Sequence, residues 1–205
     1  MVNVGWFEVV KRGKRGRKAW HLLGGAFLPV LAFFVPLGVL LSLVGVATAV
    51  FIVGENLRFA FPRVNGWVAR NLSFILKKEE KSSRLTGSTW LLISTLLVFL
   101  AFEKPIAIAA LLFLVVGDFS AAVIGERFGR TKAFGKSLEG SLTFLASCLL
   151  LSLLLTWGPA GLSPTVLVIG AVVATVCELM PLPLDDNFSV PLAGAGAMML
   201  MQGII

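Results

Sequence analysis

The chain has 205 residues, of which 57% are hydrophobic and only 14% charged, and its mean hydropathy is +0.92. That composition excludes a soluble globular domain, which cannot hide so much apolar surface, and leaves no room for a second, soluble domain. The formal net charge is +7; the placement of the cations marks membrane topology, and no nucleic-acid partner is expected.

In chain order, a basic stretch comes first: Lys11, Arg12, Lys14, Arg15, Arg17 and Lys18. The run behind it, "HLLGGAFLPVLAFFVPLGVLL", is too long for the h-region of a removable signal. Seven apolar segments follow, at about 20–36, 38–54, 88–103, 105–125, 141–157, 164–180 and 189–204. Most approach the roughly 20 residues that cross a bilayer as a helix. The expected fold is all-α and polytopic, one membrane-embedded domain over residues 1–205. Pro29 and Pro36 interrupt the first two segments. Joined, they would make a helix of about 52 Å, too long for a single span.

Between spans two and three lies "NLRFAFPRVNGWVARNLSFILKKEEKSSR", residues 56–84, which is too polar to span. Phe61, Val64, Trp67, Val68, Phe74 and Ile75 recur at roughly helical spacing with basic residues between them. This pattern predicts an amphipathic helix lying in the membrane interface. With seven spans, the N-terminal stretch, this segment and the loop between spans four and five share one side. All Lys and Arg except Lys104 fall there. The positive-inside rule makes that side cytoplasmic, with the N-terminus inside and the C-terminus outside.

Five polar clusters sit on that side. Asp118 lies about seven residues inside the end of span four, roughly 10 Å deep at 1.5 Å per residue. A carboxylate there costs several kcal/mol unless paired or hydrated, so it points to function or to a buried ion pair. Gly117, Ala121, Gly125 and Gly129 recur every four residues and form a small-residue ridge that lets helices approach closely. Asp118, Ala122, Glu126 and Arg130 form the adjacent ridge, aimed at the basic loop.

That loop, "GRTKAFGKSLEGS", ends its first half in Gly-Lys-Ser as a P-loop does. It fails the pattern, because five residues rather than four separate Gly129 from Gly135 and a membrane helix, not a buried strand, precedes it. Lys132 and Lys136 remain candidates for phosphate, with Ser137, Ser141 and the N–H groups opening span five as anion donors. Glu139 would repel phosphate unless it held a divalent cation. Alternatively it is an ordinary acidic residue at a helix start.

The third cluster is "CELMPLPLDDNFSVPL". Glu178 ends span six, two prolines break the helix, and Asp185, Asp186 and Asn187 precede span seven. Adjacent carboxylates in a tight turn suit Mg²⁺ shared with substrate phosphate, or serve as helix caps. The fourth is "RGRKAWHLLGG", where Arg17 and His21 share a helix face and His21 is a phosphate donor, a base or an interfacial residue. The fifth is "RLTGSTW", with Thr86, Ser88 and Thr89 opening span three. Cys148 and Cys177 lack metal-ligand spacing and read as small core residues. No charge stands in the middle of any span, unlike the midplane sites of ion-coupled transporters. A cleft at the membrane edge with cations, carboxylates and apolar walls suits phosphoryl or nucleotidyl transfer from a nucleotide to a lipid.

"RKAWH", "TGSTW", "GDFSAAVIGERFGRTKAFGKSLEGS" and "DDNFSVPL", in this order, resemble the family of dolichol kinases, phytol kinases and CTP-dependent diacylglycerol kinases. The resemblance extends from Arg17 to Leu192, and the Gly-Asp to Glu-Gly-Ser block is its specific part. It implies transfer of the γ-phosphate of CTP to the hydroxyl of a membrane isoprenoid alcohol, dolichol, polyprenol or phytol-like, with a divalent cation such as Mg²⁺. The preference for CTP comes from the resemblance alone. The chain has only the family's core, as small prokaryotic members do, implying a prokaryotic cell membrane with the site facing the cytoplasm. Under this assignment Lys132 and Lys136, with Arg17, Lys18, Gly125, Gly129, Arg130, Ser137 and Ser141, hold the nucleotide. Asp118, Glu139, Glu178, Asp185 and Asp186 bind metal, and Asp118, Asp185, Asp186 or His21 activates the alcohol. The alternatives are a diacylglycerol kinase, a cytidylyltransferase making a CDP-lipid, and a small membrane transporter.

Overall fold

A computed structural model describes residues 22–71, 76, 80, 84–158 and 161–204. Helices cover each of the seven expected segments: α1 Leu22–Ala32, α2 Leu37–Ala60, α4 Gly87–Ala101, α5 Lys104–Phe128, α6 Leu138–Trp157, α7 Pro164–Leu179 and α8 Asp186–Gln202. An eighth helix, α3, spans Pro62–Asn71. Three of them, α2, α5 and α6, are long and apolar enough to cross a membrane, while α1, α4 and α7 are shorter apolar helices.

The break between α1 and α2 falls at Pro36, which caps α2, whereas Pro29 is accommodated inside α1. Lys104, the one cation expected on the far side, donates from Nζ to Val35 O at 2.8 Å. It thereby satisfies a carbonyl in the turn where α1 ends. At the other end α2 runs to Ala60, beyond the expected boundary at 54. Glu55 and Arg58 on its last turns are buried as an i,i+3 ion pair at 2.5 Å, so the helix continues past its lipid-length segment. Among the described residues the expected interfacial helix is represented by α3, which begins only after Phe61. No residue of α3 is buried, and Val64 and Trp67 are exposed. The remainder of that expected helix, including Phe74 and Ile75, lies outside the described residues.

α5 is the centre of the bundle. It packs on α6, α8, α7 and α4, and the run from Ile106 to Val115 is buried on every side. Its run of alanine and larger apolar residues leaves no polar stripe, as expected of a helix surrounded by others. Gly25 brings α1 against Val115 of α5. The outer faces are apolar too: Val46, Val50 and Val53 on α2 and Leu142, Leu150 and Leu154 on α6 are all exposed. A girdle of that extent is stable only against a nonaqueous solvent, which makes this a membrane protein.

α8 carries Pro191 in its interior. Proline has no N–H, so the Asn187 carbonyl loses its helical donor. Ser94 Oγ of α4 replaces it, donating to Asn187 O at 2.6 Å in a buried setting. Ser94→Ala would leave that carbonyl without a partner. The expected loss is about 1–3 kcal/mol of stability, read by thermal unfolding in detergent; unchanged unfolding would show that the proline defect is satisfied in another way.

One element departs from the all-α expectation. Lys132–Ala133 and Lys136–Ser137 form a two-stranded antiparallel hairpin, β1 and β2, between α5 and α6. Phe134 and Gly135 at its tip have φ of 52° and 87°. Two consecutive left-handed residues are the signature of a type I′ turn, whose twist matches a hairpin.

Candidate functional site

Three helix N-termini open at the same end of the bundle. α4 is capped by Thr86, α6 by Ser137 and α8 by Asp185, each through a side-chain oxygen accepting a backbone N–H. Their positive dipole ends favour anions. The hairpin enters here because Leu138 N bonds back to Thr131 O at 3.0 Å, and Thr131 N donates to Glu139 Oε1 at 3.0 Å. Glu139, expected to hold a metal, thus closes the hairpin onto α6, and its buried Oε2 finds no hydrogen-bond partner among the described residues.

The small-residue ridge of α5 is a packing seam. A Cβ on Gly117 would stand 2.5 Å from Phe144 of α6. Gly125, Gly129 and Gly140 enclose Ser137, whose side chain lies within 2.6–2.7 Å of where their Cβ atoms would be. The roles expected of Gly125, Gly129 and Ser137 in nucleotide binding therefore overlap with close packing and helix capping. Ser141 is also engaged, donating to Glu178 Oε2 at 3.0 Å.

Lys136 is the hub. Its Nζ lies 2.8 Å from Asp186 Oδ2 and 3.2 Å from Glu178 Oε1, and it also donates to the Glu178 carbonyl. Glu178 is 6% exposed, at the C-terminal end of α7, where the helix dipole disfavours a carboxylate. Lys136 compensates by meeting both its carbonyl and its side chain. Burial alone would lower the Lys136 pKa, but its bonds and charge pairing with Asp186 and Glu178 hold it above the usual lysine value. Asp186 is pushed up despite its lysine. Burial is the main cause, and the nearby charges of Asp118 and Asp185 add to it.

Hence one face gathers Asp118 from α5, Lys136 from the hairpin, Glu178 from α7, and Asp185 with Asp186 from the start of α8. Asp118 stands half-buried in α5, ten residues before its end rather than seven, about 15 Å along the axis. The "TGSTW" cluster joins from the other side: Gly87 abuts Asn187, and Trp90 meets Phe188 edge-on at 5.3 Å. Arg130 and Lys132 are exposed at the rim. Arg17, Lys18 and His21 lie outside the described residues.

Among the described residues, no three acidic, histidine or cysteine side chains stand close enough to enclose a metal ion. Mg²⁺ seldom needs such a cage; it takes one or two carboxylates and completes its shell with water and substrate phosphate. Asp185 and Asp186, with Asp118 within electrostatic reach, are a donor set of that kind.

Sequence reasoning missed Glu55, Arg58 and Glu80, all buried beside this site. Glu55 three residues before Arg58, near the end of an apolar run, was the available signal, whereas Glu80 lies 22 residues beyond Arg58 and gave none.

The chain is similar to an uncharacterized protein of Rickettsia prowazekii, 28% identical over 185 residues, covering 88% of this chain and 90% of the relative. A probable chloroplastic phytol kinase of Triticum aestivum is 35% identical over 138 residues, covering 58% of this chain and 45% of the relative. A second probable chloroplastic phytol kinase, from Glycine max, is 34% identical over 134 residues, covering 58% and 46%. The chain spans about half the length of the phytol kinases it matches. No family model matches it, and no solved structure does. The similarity supports a kinase-family relationship.

Proposed function

We propose that the protein is an integral membrane kinase that transfers the γ-phosphate of CTP to the hydroxyl of an isoprenoid alcohol held in the bilayer. The relatives named as phytol kinases support the kinase reading and the class of alcohol. The observation that carries it is the meeting of Lys136, Asp186 and Glu178 at one end of the bundle, beside Asp118 and three helix N-termini. Phosphoryl transfer asks a protein chiefly for positioning and charge neutralisation. Helix N-termini and exposed Lys132 and Arg130 favour the triphosphate. Asp185 and Asp186 would hold a divalent cation shared with substrate phosphate and water, which would supply charge neutralisation at the phosphates. CTP as donor rests on the resemblance of the sequence motifs.

In the reaction, the alcohol oxygen forms a bond to the γ-phosphorus and the bond from that phosphorus to the β–γ bridging oxygen breaks. The hydroxyl proton leaves to a carboxylate of this cluster. The products are the lipid monophosphate and CDP. Lys136 keeps Asp186 oriented through this exchange. The deciding experiment supplies purified protein with CTP labelled at the γ-phosphate and a panel of phytol, farnesol-type alcohols, polyprenol and diacylglycerol. Label in the lipid phase with equimolar CDP is the expected result. Release of pyrophosphate would indicate nucleotidyl transfer instead, and no consumption of nucleotide would overturn the enzyme reading.

The same proposal carries a topology of seven spans with the N-terminus and the site in the cytoplasm of a prokaryotic cell, motivated by the one-sided distribution of Lys and Arg. A cysteine introduced at Gly161 is expected to react with an impermeant maleimide on intact cells, and one at Lys132 only after lysis. Equal reaction at both positions would contradict it.

A further inference from the structure

Glu55, Arg58 and Glu80 form a charged network for which phosphoryl transfer has no direct use. They are only 5%, 3% and 5% exposed. Arg58 Nη2 donates to Glu55 Oε2 at 2.5 Å and to Arg84 O at 2.7 Å, while Nη1 donates to Glu80 O at 2.6 Å. The guanidinium thus ties the connection after α3 back onto α2. Both carboxylates then turn toward the first turn of α4. Glu55 Oε1 accepts from Thr86 N at 3.0 Å and Thr89 Oγ1 at 3.1 Å, and Glu80 Oε1 accepts from Gly87 N at 2.9 Å.

Capping alone does not require this. Thr86 already caps α4 with its own hydroxyl, and buried ion pairs are a costly way to gain stability. What the network adds is a fixed position for one helical turn. That turn touches the site. A Cβ on Gly87 would stand 2.9 Å from Asn187 Nδ2 and 3.5 Å from Glu80 Oε1. Asn187 Nδ2 in turn donates to Asp185 Oδ1 at 2.7 Å. Contacts therefore run without a gap from Arg58, through the start of α4, to the Asp185–Asp186 turn.

We infer that Glu55, Arg58 and Glu80 are positioning residues, which set the place of Asp185 and Asp186 through Gly87 and Asn187. The inference rests on the kinase reading for its kinetic consequence but not for its structural one. Arg58→Lys keeps the charge but loses the planar fork that reaches several acceptors at once. Gly87→Ala leaves all three charges intact and inserts a methyl group between α4 and Asn187.

The test measures kcat, nucleotide KM and thermal stability of Arg58→Lys and Gly87→Ala in detergent, on protein carrying 5-fluorotryptophan. Trp90, which meets Phe188 edge-on, is assigned in the ¹⁹F spectrum through Trp90→Phe. The expected result is a fall in kcat per folded molecule of about tenfold or more, as for a small misplacement of reacting groups, with nucleotide KM nearly unchanged and a moved Trp90 resonance. A network of purely structural value would lower thermal stability and leave kcat per folded molecule at the wild-type level, which overturns the inference. Should Arg58→Lys fail to fold, Glu80→Ala, which removes the acceptor of Gly87 N but keeps the Glu80 carbonyl that Arg58 uses, decides by the same criteria. Should the wild-type protein phosphorylate none of the alcohols, the kinase reading fails by itself. The Trp90 resonance then decides: displacement by Arg58→Lys or Glu80→Ala supports the coupling, and an unmoved resonance overturns it.

Discussion

Asp118→Asn is expected to yield a protein as stable as wild type with turnover lowered at least about 10²-fold, the low end for loss of a general base. The substitution preserves size and most hydrogen bonding and removes one charge. Stability should survive because the charges of Asp118 and Asp185 already bear unfavourably on Asp186, which burial has pushed toward its neutral form. Withdrawing one of several like charges relieves that crowding, and a neutral amide is cheaper to bury than a carboxylate. Were Asp118 half of a structural ion pair, Asn would strand a buried cation at a cost of roughly 3–5 kcal/mol. Unfolding temperature and turnover measured on one preparation separate the two cases. A stable variant with near-normal turnover would remove Asp118 from the chemistry.

Lys136→Ala should be damaging in a different manner. It removes the cation between Asp186 and the buried Glu178 and leaves Glu178 with the Ser141 hydroxyl. Breaking a buried pair costs about 3–5 kcal/mol, and the 29% exposure of the Lys136 side chain places this one near the lower figure. Both stability and turnover are expected to fall. Adding Glu178→Gln should restore much of the stability, because the stranded charge is gone, without restoring turnover. Lys132→Ala, at an exposed position, should leave stability untouched and raise nucleotide KM about tenfold, the loss of one charge-assisted phosphate contact. Lys136→Ala with wild-type stability would show that the ion pair is dispensable to the fold.

The helices were legible because apolar length and proline breaks are local properties. The ridge of Gly117, Ala121, Gly125 and Gly129 was legible for the same reason, and Phe144 and Ser137 now account for its spacing. The partners of Lys136 were not, since Glu178 and Asp186 lie 42 and 50 residues away and only folding brings them together. The hairpin was hidden by its shortness and by Phe134, an aromatic residue in a left-handed position that glycine or asparagine usually fills. Glu55 and Arg58 were obscured by their setting, a polar segment that reads as surface until the connection folds back over it. Ser94 carried no signal of its own; its role exists only because Pro191 leaves a carbonyl open on another helix.

Ser137, enclosed by Gly125, Gly129 and Gly140, bears on how such a protein can diverge. Its surroundings admit no added methyl group at three separate points of the backbone. Threonine in its place would add such a group from the centre instead. No one of these positions can gain a methyl group by itself, so drift here must begin with loss of the Ser137 hydroxyl and of the α6 cap it makes, whereas the lipid-facing valines of α2 can interchange freely with other aliphatic residues. Distant descendants would be expected to keep this small knot of residues long after the spans around it had lost any recognisable likeness.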